Sequence, residues 1–256
     1  MRWIDGRWTE AALCSFLSLA MLLLLPATGN AQQTPPAAPV PPAPPTPSIP
    51  APANPNVAPR FLVVVDAAHG GNDTGARITD RLLEKDITLS LAMRLRSMLS
   101  AHGIGVVTTR DSDTNPSPTD RAETANHMPA AACILIHATA TGSGVHLYTS
   151  SLAPTPLTRF LPWQTAQSAY VTQSLKLSSE FDSALAHAEI PVSLGRTFLQ
   201  PMDSLTCPAV AVEVAPLAAG ATTKATPLTD TAYQRSILDA LTAAIDEWRT
   251  DWRQQP

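Results

Sequence analysis

Two histidines and a glutamate stand at the ends of, or inside, apolar runs that would not ordinarily carry them. His69 follows Phe61–Asp66 (FLVVVD), His137 lies in Ala132–Ala138 (ACILIHA), and Glu213 sits between Val212 and Val214 in Pro208–Val214 (PAVAVEV). A charged side chain within such a run is costly unless it is paired or bound. A second glutamate, Glu84, opens the helical segment that follows the first run. Two imidazoles and a carboxylate converging on one point form a His₂Glu donor set, the kind that holds a catalytic zinc ion and leaves one position open. The reading is therefore one Zn²⁺ per chain on His69, Glu84 and His137, with Glu213 placed to take a proton from the attacking water. Singly each signal is weak, since a lone histidine at a strand end is more often structural than a ligand. Their coincidence in order and position carries the reading.

The elements that must position these residues alternate in type. Strands are expected at 61–66, 106–109, 132–138, 145–149 and 208–214, the first and last as runs buried on both faces. Asp86 is expected to cap a helix with apolar positions Ile87, Leu91, Leu95 and Met98 that stops at Gly103. Further helical segments are expected over 120–127, over 163–187 as one helix or two, and over 230–252. In the last of these, Tyr233, Ile237, Leu241, Ile245, Trp248 and Trp252 recur at helical spacing, so the tryptophans are expected in the core. This alternation predicts an α/β three-layer sandwich, a largely parallel twisted sheet flanked by helices. Sites in such sheets lie beyond the carboxyl ends of the strands, where His69 and His137 fall.

The ends of the chain read differently. Arg2 and Arg7 precede an apolar run, Ala11–Leu25, and small residues follow up to Ala31. Residues 1–31 are expected to be a secretory signal, or alternatively an uncleaved membrane anchor. Residues 32–59 form a linker, and Thr34–Pro59 alone holds 12 of the chain's 25 prolines. Proline excludes helix and sheet there. One catalytic domain is expected over 60–254, in a periplasmic or secreted protein. The net charge of −4 gives no footprint for nucleic acid. Cys133 and Cys207 are the cysteines of that domain. A disulfide is open to them in an oxidising compartment, but two unpaired buried thiols are the expectation.

The motifs themselves resemble those of the zinc-dependent N-acetylmuramoyl-L-alanine amidases of the type 3 family. The similar stretches run in family order: VVVDAAHGGNDTGA at 63–76, EKDITL at 84–89, GIGVVTTRDSD at 103–113, DRAETAN at 120–126, ILIHAT at 134–139 and PAVAVEV at 208–214. Fourteen residues separate the histidine of HGG from the glutamate of EKDITL. By position, the resemblance implies that His69, Glu84 and His137 are the zinc ligands and Glu213 the catalytic glutamate. Arg110, Asp113, Arg121 and Asn126 fall on positions read as structural. The implied reaction is hydrolysis of the amide between N-acetylmuramic acid and the L-alanine of the stem peptide, with peptidoglycan as substrate. A monomer is the separate expectation for the protein.

Several positions depart from the family pattern. Ala67-Ala68 stands where proline-glycine is usual before His69, Leu135 and Thr139 replace a serine and an asparagine around His137, and Ala215-Pro216-Leu217 follows Glu213. The alternatives are a catalytically degenerate peptidoglycan-binding or regulatory domain, or a zinc amidohydrolase acting on another amide. Division-associated family members carry a helical lid after the second histidine motif. Here seven residues separate His137 from Val145, too few for one. Among the other polar residues, His146 alternates with Val145 and Leu147 and is expected to face solvent. Arg196 is expected in a surface salt bridge, with a contact to a substrate carboxylate as the alternative; Asp73 is expected to hold loop amides, and His102, His127 and His187 are expected to close helices.

Overall fold

A computed structural model describes residues 61–254, apart from 158 and 221–223; the expected signal segment and proline-rich linker lie outside the described residues. The order of elements is β1 (Leu62–Ala67), a small hairpin of β2 (Arg77–Thr79) and β3 (Leu82–Leu83), α1 (Glu84–Ala101), β4 (Gly105–Thr108), α2 (Pro118–Asn126), β5 (Ala132–Ala138) and β6 (Val145–Ser150). A 3₁₀ segment (Trp163–Ala169) leads into α3 (Val171–His187), followed by β7 (Val192–Thr197), β8 (Ala209–Val214) and α4 (Thr231–Gln254).

Six strands form one sheet in the order β4-β1-β5-β8-β6-β7. The first four are mutually parallel; β6 lies antiparallel against β8, and β7 runs parallel to β6. Alternate residues of the central strands feed two separate cores. Val63, Val65, Ile134, Ile136, Val210 and Val212 pack against α1, α3 and α4. On the opposite face, Val64, Cys133, Leu135, Ala209 and Ala211 pack against Ala122 and Ala125 of α2 and against Met202 and Leu205. Both faces of the central strands are therefore covered, which is why they read as unbroken apolar runs. The three-layer α/β sandwich is as the alternation of elements predicts.

Helix α4 buries Tyr233, Ile237, Leu241, Ile245 and Trp248, and the Trp248 indole donates to the Ala131 carbonyl at 2.9 Å. Each such large side chain contributes about 1.5–3 kcal/mol by burial. Trp252 is half-buried and meets Phe61 edge to face at 6.4 Å. Among the described residues, no helix is long and apolar enough to cross a membrane.

Three details differ from expectation. Helix α1 begins at Glu84, two residues before the expected cap; Asp86 instead reaches back to the Leu83 amide from the third helical position. Strand β7 was not expected, because VSLGRT shows neither clean alternation nor an apolar run. It lies at the sheet edge, pairs with β6 alone, and leaves Leu194 exposed. Cys133 and Cys207 are joined in a disulfide, with Cα atoms 6.1 Å apart, rather than standing as two thiols. Parallel pairing sets Cys133 opposite Ala209, two residues beyond Cys207, so the two cysteines start neighbouring strands.

Candidate metal centre

The chain leaves β1 through a turn that only strong local restraint could hold. His69 has φ 61°, a left-handed conformation that is uncommon for a residue with a β-carbon. Two buried arginines fix it. Arg121 donates to the carbonyls of Ala67 and His69, each at 2.7 Å, and pairs with Asp66 at 2.8 Å. Arg110 donates to the carbonyls of Ala67, Ala68 and Lys85. Asp113 accepts from the Gly71 amide and pairs with Lys85, whose ammonium also reaches the Gly71 carbonyl. Asn126 braces the far side, bonding Ser204 and Thr206. These four residues thus have the bracing contacts expected of them.

The turn then folds back over the start of α1. The Glu84 amide donates to Ala76 and the Lys85 amide to Thr74, satisfying donors that a helix start leaves free. This brings the Glu84 carboxylate between the two imidazoles. Its Oε2 lies 3.2 Å from His69 Nε2, and its Oε1 lies 3.1 Å from His137 Nδ1. The two rings stand edge to face, 5.6 Å apart. Gly75 closes the turn with φ +62°, and a β-carbon there would come within 2.8 Å of both His69 and Glu84. Glycine is required at that point for conformation and for room.

The electrostatics follow from this packing. Burial works against ionisation of Glu84, but hydrogen bonds from His137 and His69, and from the amides of Ala76 and Ala138, hold its carboxyl far below the usual range. Glu84 is therefore an anion at neutral pH. The hydrogen bond to Glu84 raises the pKa of His69, burial opposes this, and Asp73 adds to the rise. Asp73 lies against the other ring nitrogen, with Oδ2 3.0 Å from His69 Nδ1, and its Oδ1 accepts from the Gly75 amide. It holds a loop amide as expected and orients a histidine as well.

His69, Glu84 and His137 each offer one ligand atom, and these atoms lie within 4.8 Å of one another. The donor set fits a borderline divalent cation: two imidazole nitrogens and one anionic oxygen, with the far side of one ring already fixed by a carboxylate.

Glu213 stands beside this cluster. Parallel pairing of β5 and β8 sets it opposite His137, and antiparallel pairing of β8 and β6 sets it opposite His146. Its side chain is 30 % exposed and opens into a cleft lined by His137, Tyr148, Thr197, Leu199 and Ala211. His146 does not face solvent. Its Nδ1 lies 2.7 Å from Glu213 Oε2, and its side chain is 17 % exposed. Alternation correctly puts His146 on the face opposite Val145 and Leu147, but at this end of the sheet that face is the cleft. Among the described residues Arg196 makes no salt bridge; its guanidinium donates to the carbonyls of Ser150 and Leu152. Burial and the Glu213 charge push the Tyr148 hydroxyl up, so it stays a donor at neutral pH.

The chain is similar to known proteins in sequence and in fold. The germination-specific N-acetylmuramoyl-L-alanine amidase of Bacillus subtilis is 46 % identical over 57 residues, 22 % of this chain and 24 % of that protein. The N-acetylmuramoyl-L-alanine amidase AmiA of Escherichia coli is 42 % identical over 77 residues, 30 % of this chain and 27 % of that protein. Each alignment thus spans only about a quarter of the relative. In fold, the catalytic domain of CwlV from Bacillus (Paenibacillus) polymyxa superposes with a TM-score of 0.57 at 23 % identity, over 74 % of this chain and 98 % of that one. Ami1 from Mycobacterium smegmatis gives 0.59 at 20 % identity, over 74 % and 97 %. The N-acetylmuramoyl-L-alanine amidase family model (Amidase_3) matches residues 63–247, from the first strand to the last helix and across all four site residues, and the chain belongs to that family.

Proposed function

We propose that the protein is a zinc-dependent peptidoglycan hydrolase that cleaves the amide between N-acetylmuramic acid and the L-alanine of the stem peptide. The observation that carries this reading is the convergence of His69, Glu84 and His137 within 4.8 Å, beside a glutamate that opens into a cleft. A bound zinc ion supplies a Lewis acid for the scissile carbonyl and lowers the pKa of a water it holds. Glu84 remains ionised, and Asp73 fixes the far nitrogen of His69, so the ligand atoms of these two residues are directed at one point.

The chain's own chemistry then falls to Glu213. Its carboxylate takes a proton from the attacking water as oxygen bonds to the carbonyl carbon. The same proton passes to the leaving nitrogen as the C–N bond breaks, giving the free lactyl acid and the amine of L-alanine. Export fits this substrate, which lies outside the cytoplasm. Residues 1–31 are read as the export signal and 32–59 as a linker, in a periplasmic or secreted protein.

The test is metal content together with hydrolysis of purified peptidoglycan, for the wild type and Glu213→Gln. Both should hold near-stoichiometric zinc, and the variant should release stem peptides about 10²–10⁴-fold more slowly. Zinc without release by the wild type would point to another amide or a binding role, and absence of zinc would remove the proposed ligand set.

A further inference from the structure

We infer that His146 is a positioning residue for Glu213, holding the carboxylate in the orientation from which it exchanges protons with substrate; this rests on the proposed role of Glu213. Three observations meet here. The two residues face each other across the β6–β8 ladder, so their backbones fix the separation independently of side-chain freedom. His146 Nδ1 lies 2.7 Å from Glu213 Oε2, short enough for a charge-assisted bond. The opposite edge of the ring is blocked: a β-carbon at Gly142, which has φ +89°, would stand 2.5 Å from Cε1 and 2.9 Å from Nε2. The imidazole is clasped between the 139–144 turn and the carboxylate.

Glu213 needs such a partner. With 30 % of its side chain exposed, it shows, among the described residues, no counterpart of the backbone amides that Glu84 has in Ala76 and Ala138. Among its described polar contacts, His146 supplies the hydrogen bond. One carboxylate oxygen is thereby anchored, and the other is left for chemistry in the cleft that His137 also lines. A glutamate held by one oxygen keeps its reactive oxygen within the narrow range of positions that proton transfer requires. The titratable ring of His146, set against the Glu213 carboxylate rather than in solvent, is the structural trace of this task.

The experiment compares the wild type, His146→Ala and His146→Asn, with zinc content and kcat and KM for peptidoglycan fragments measured separately. The asparagine amide can place a donor near the position of the ring Nδ1. His146→Ala should lower kcat about 10- to 100-fold with little change in KM or zinc content, and His146→Asn should recover most of the loss. A kcat for His146→Ala within about twofold of wild type, or equal losses in both variants, would overturn the assignment. A second readout needs no turnover. In ¹⁵N-histidine-labelled protein, Glu213→Gln should shift the His146 Nδ1 resonance, identified by its loss in His146→Ala. No shift would mean that the pair is not formed. A shift in a protein whose wild type releases no stem peptides would keep the pairing and sink the amidase reading instead.

Discussion

Asp73 Oδ2 stands 3.0 Å from His69 Nδ1, the ring nitrogen that points away from Glu84. A carboxylate there selects the tautomer whose free lone pair sits on Nε2, and it restrains the ring's rotation. Asp73→Ala should therefore lower zinc affinity about 10- to 100-fold while the fold persists, since half of the Asp73 side chain is exposed. Competition with a chromophoric chelator measures this. An affinity unchanged from wild type would show that the Arg110 and Arg121 contacts alone orient the turn.

If His69 is a zinc ligand, as proposed, proton and metal compete for it. Its pKa is raised, first by the hydrogen bond to Glu84 and against the effect of burial, with Asp73 adding. A raised folded value means that, without metal, this group's contribution to stability is present below the ordinary histidine value near 6.5 and fades as pH rises through the folded value. Zinc requires the unprotonated ring. The rise in Tm on adding zinc should therefore grow as pH climbs from about 6.5 to 8. Thermal melts at fixed zinc excess across that range would read it, and a pH-independent rise would count against His69 as a ligand.

The Cys133–Cys207 disulfide closes a separation of 74 residues. Chain-entropy arguments assign roughly 4 kcal/mol to a loop of that length. Cys207→Ser should lower unfolding stability by about 2–4 kcal/mol in urea. Zinc content should hold, because the bridge joins the beginnings of β5 and β8 while His137 and Glu213 lie toward their ends. Loss of zinc in this variant would mean that the staple reaches the site after all.

What the sequence disclosed, and what it hid, divide along a physical line. Strands β1, β5 and β8 were legible because they are buried on both faces, and helix α4 because its apolar stripe covers one face of the sheet. Strand β7 was hidden because an edge strand with exposed faces needs neither pattern. His69, Glu84, His137 and Glu213 stood out as polar residues in or next to apolar segments. His146 did not, because period-two alternation tells which face a side chain takes but not what covers that face. Asp73 was legible as a turn residue, while its second contact depends on the fold of α1 back over the turn. The disulfide joins cysteines far apart in sequence, and composition alone favours thiols.

The left-handed backbone at His69 bears on how a metal would arrive. Holding a residue with a β-carbon at φ 61° costs on the order of 1–3 kcal/mol, and here that cost is met during folding by two guanidinium groups that fill the turn's carbonyls. Little ordering is then left for the binding event. An ion meets an imidazole already in place, so the empty and loaded forms should share one backbone. Loading should be governed by shedding water from the cation rather than by rearrangement of the chain.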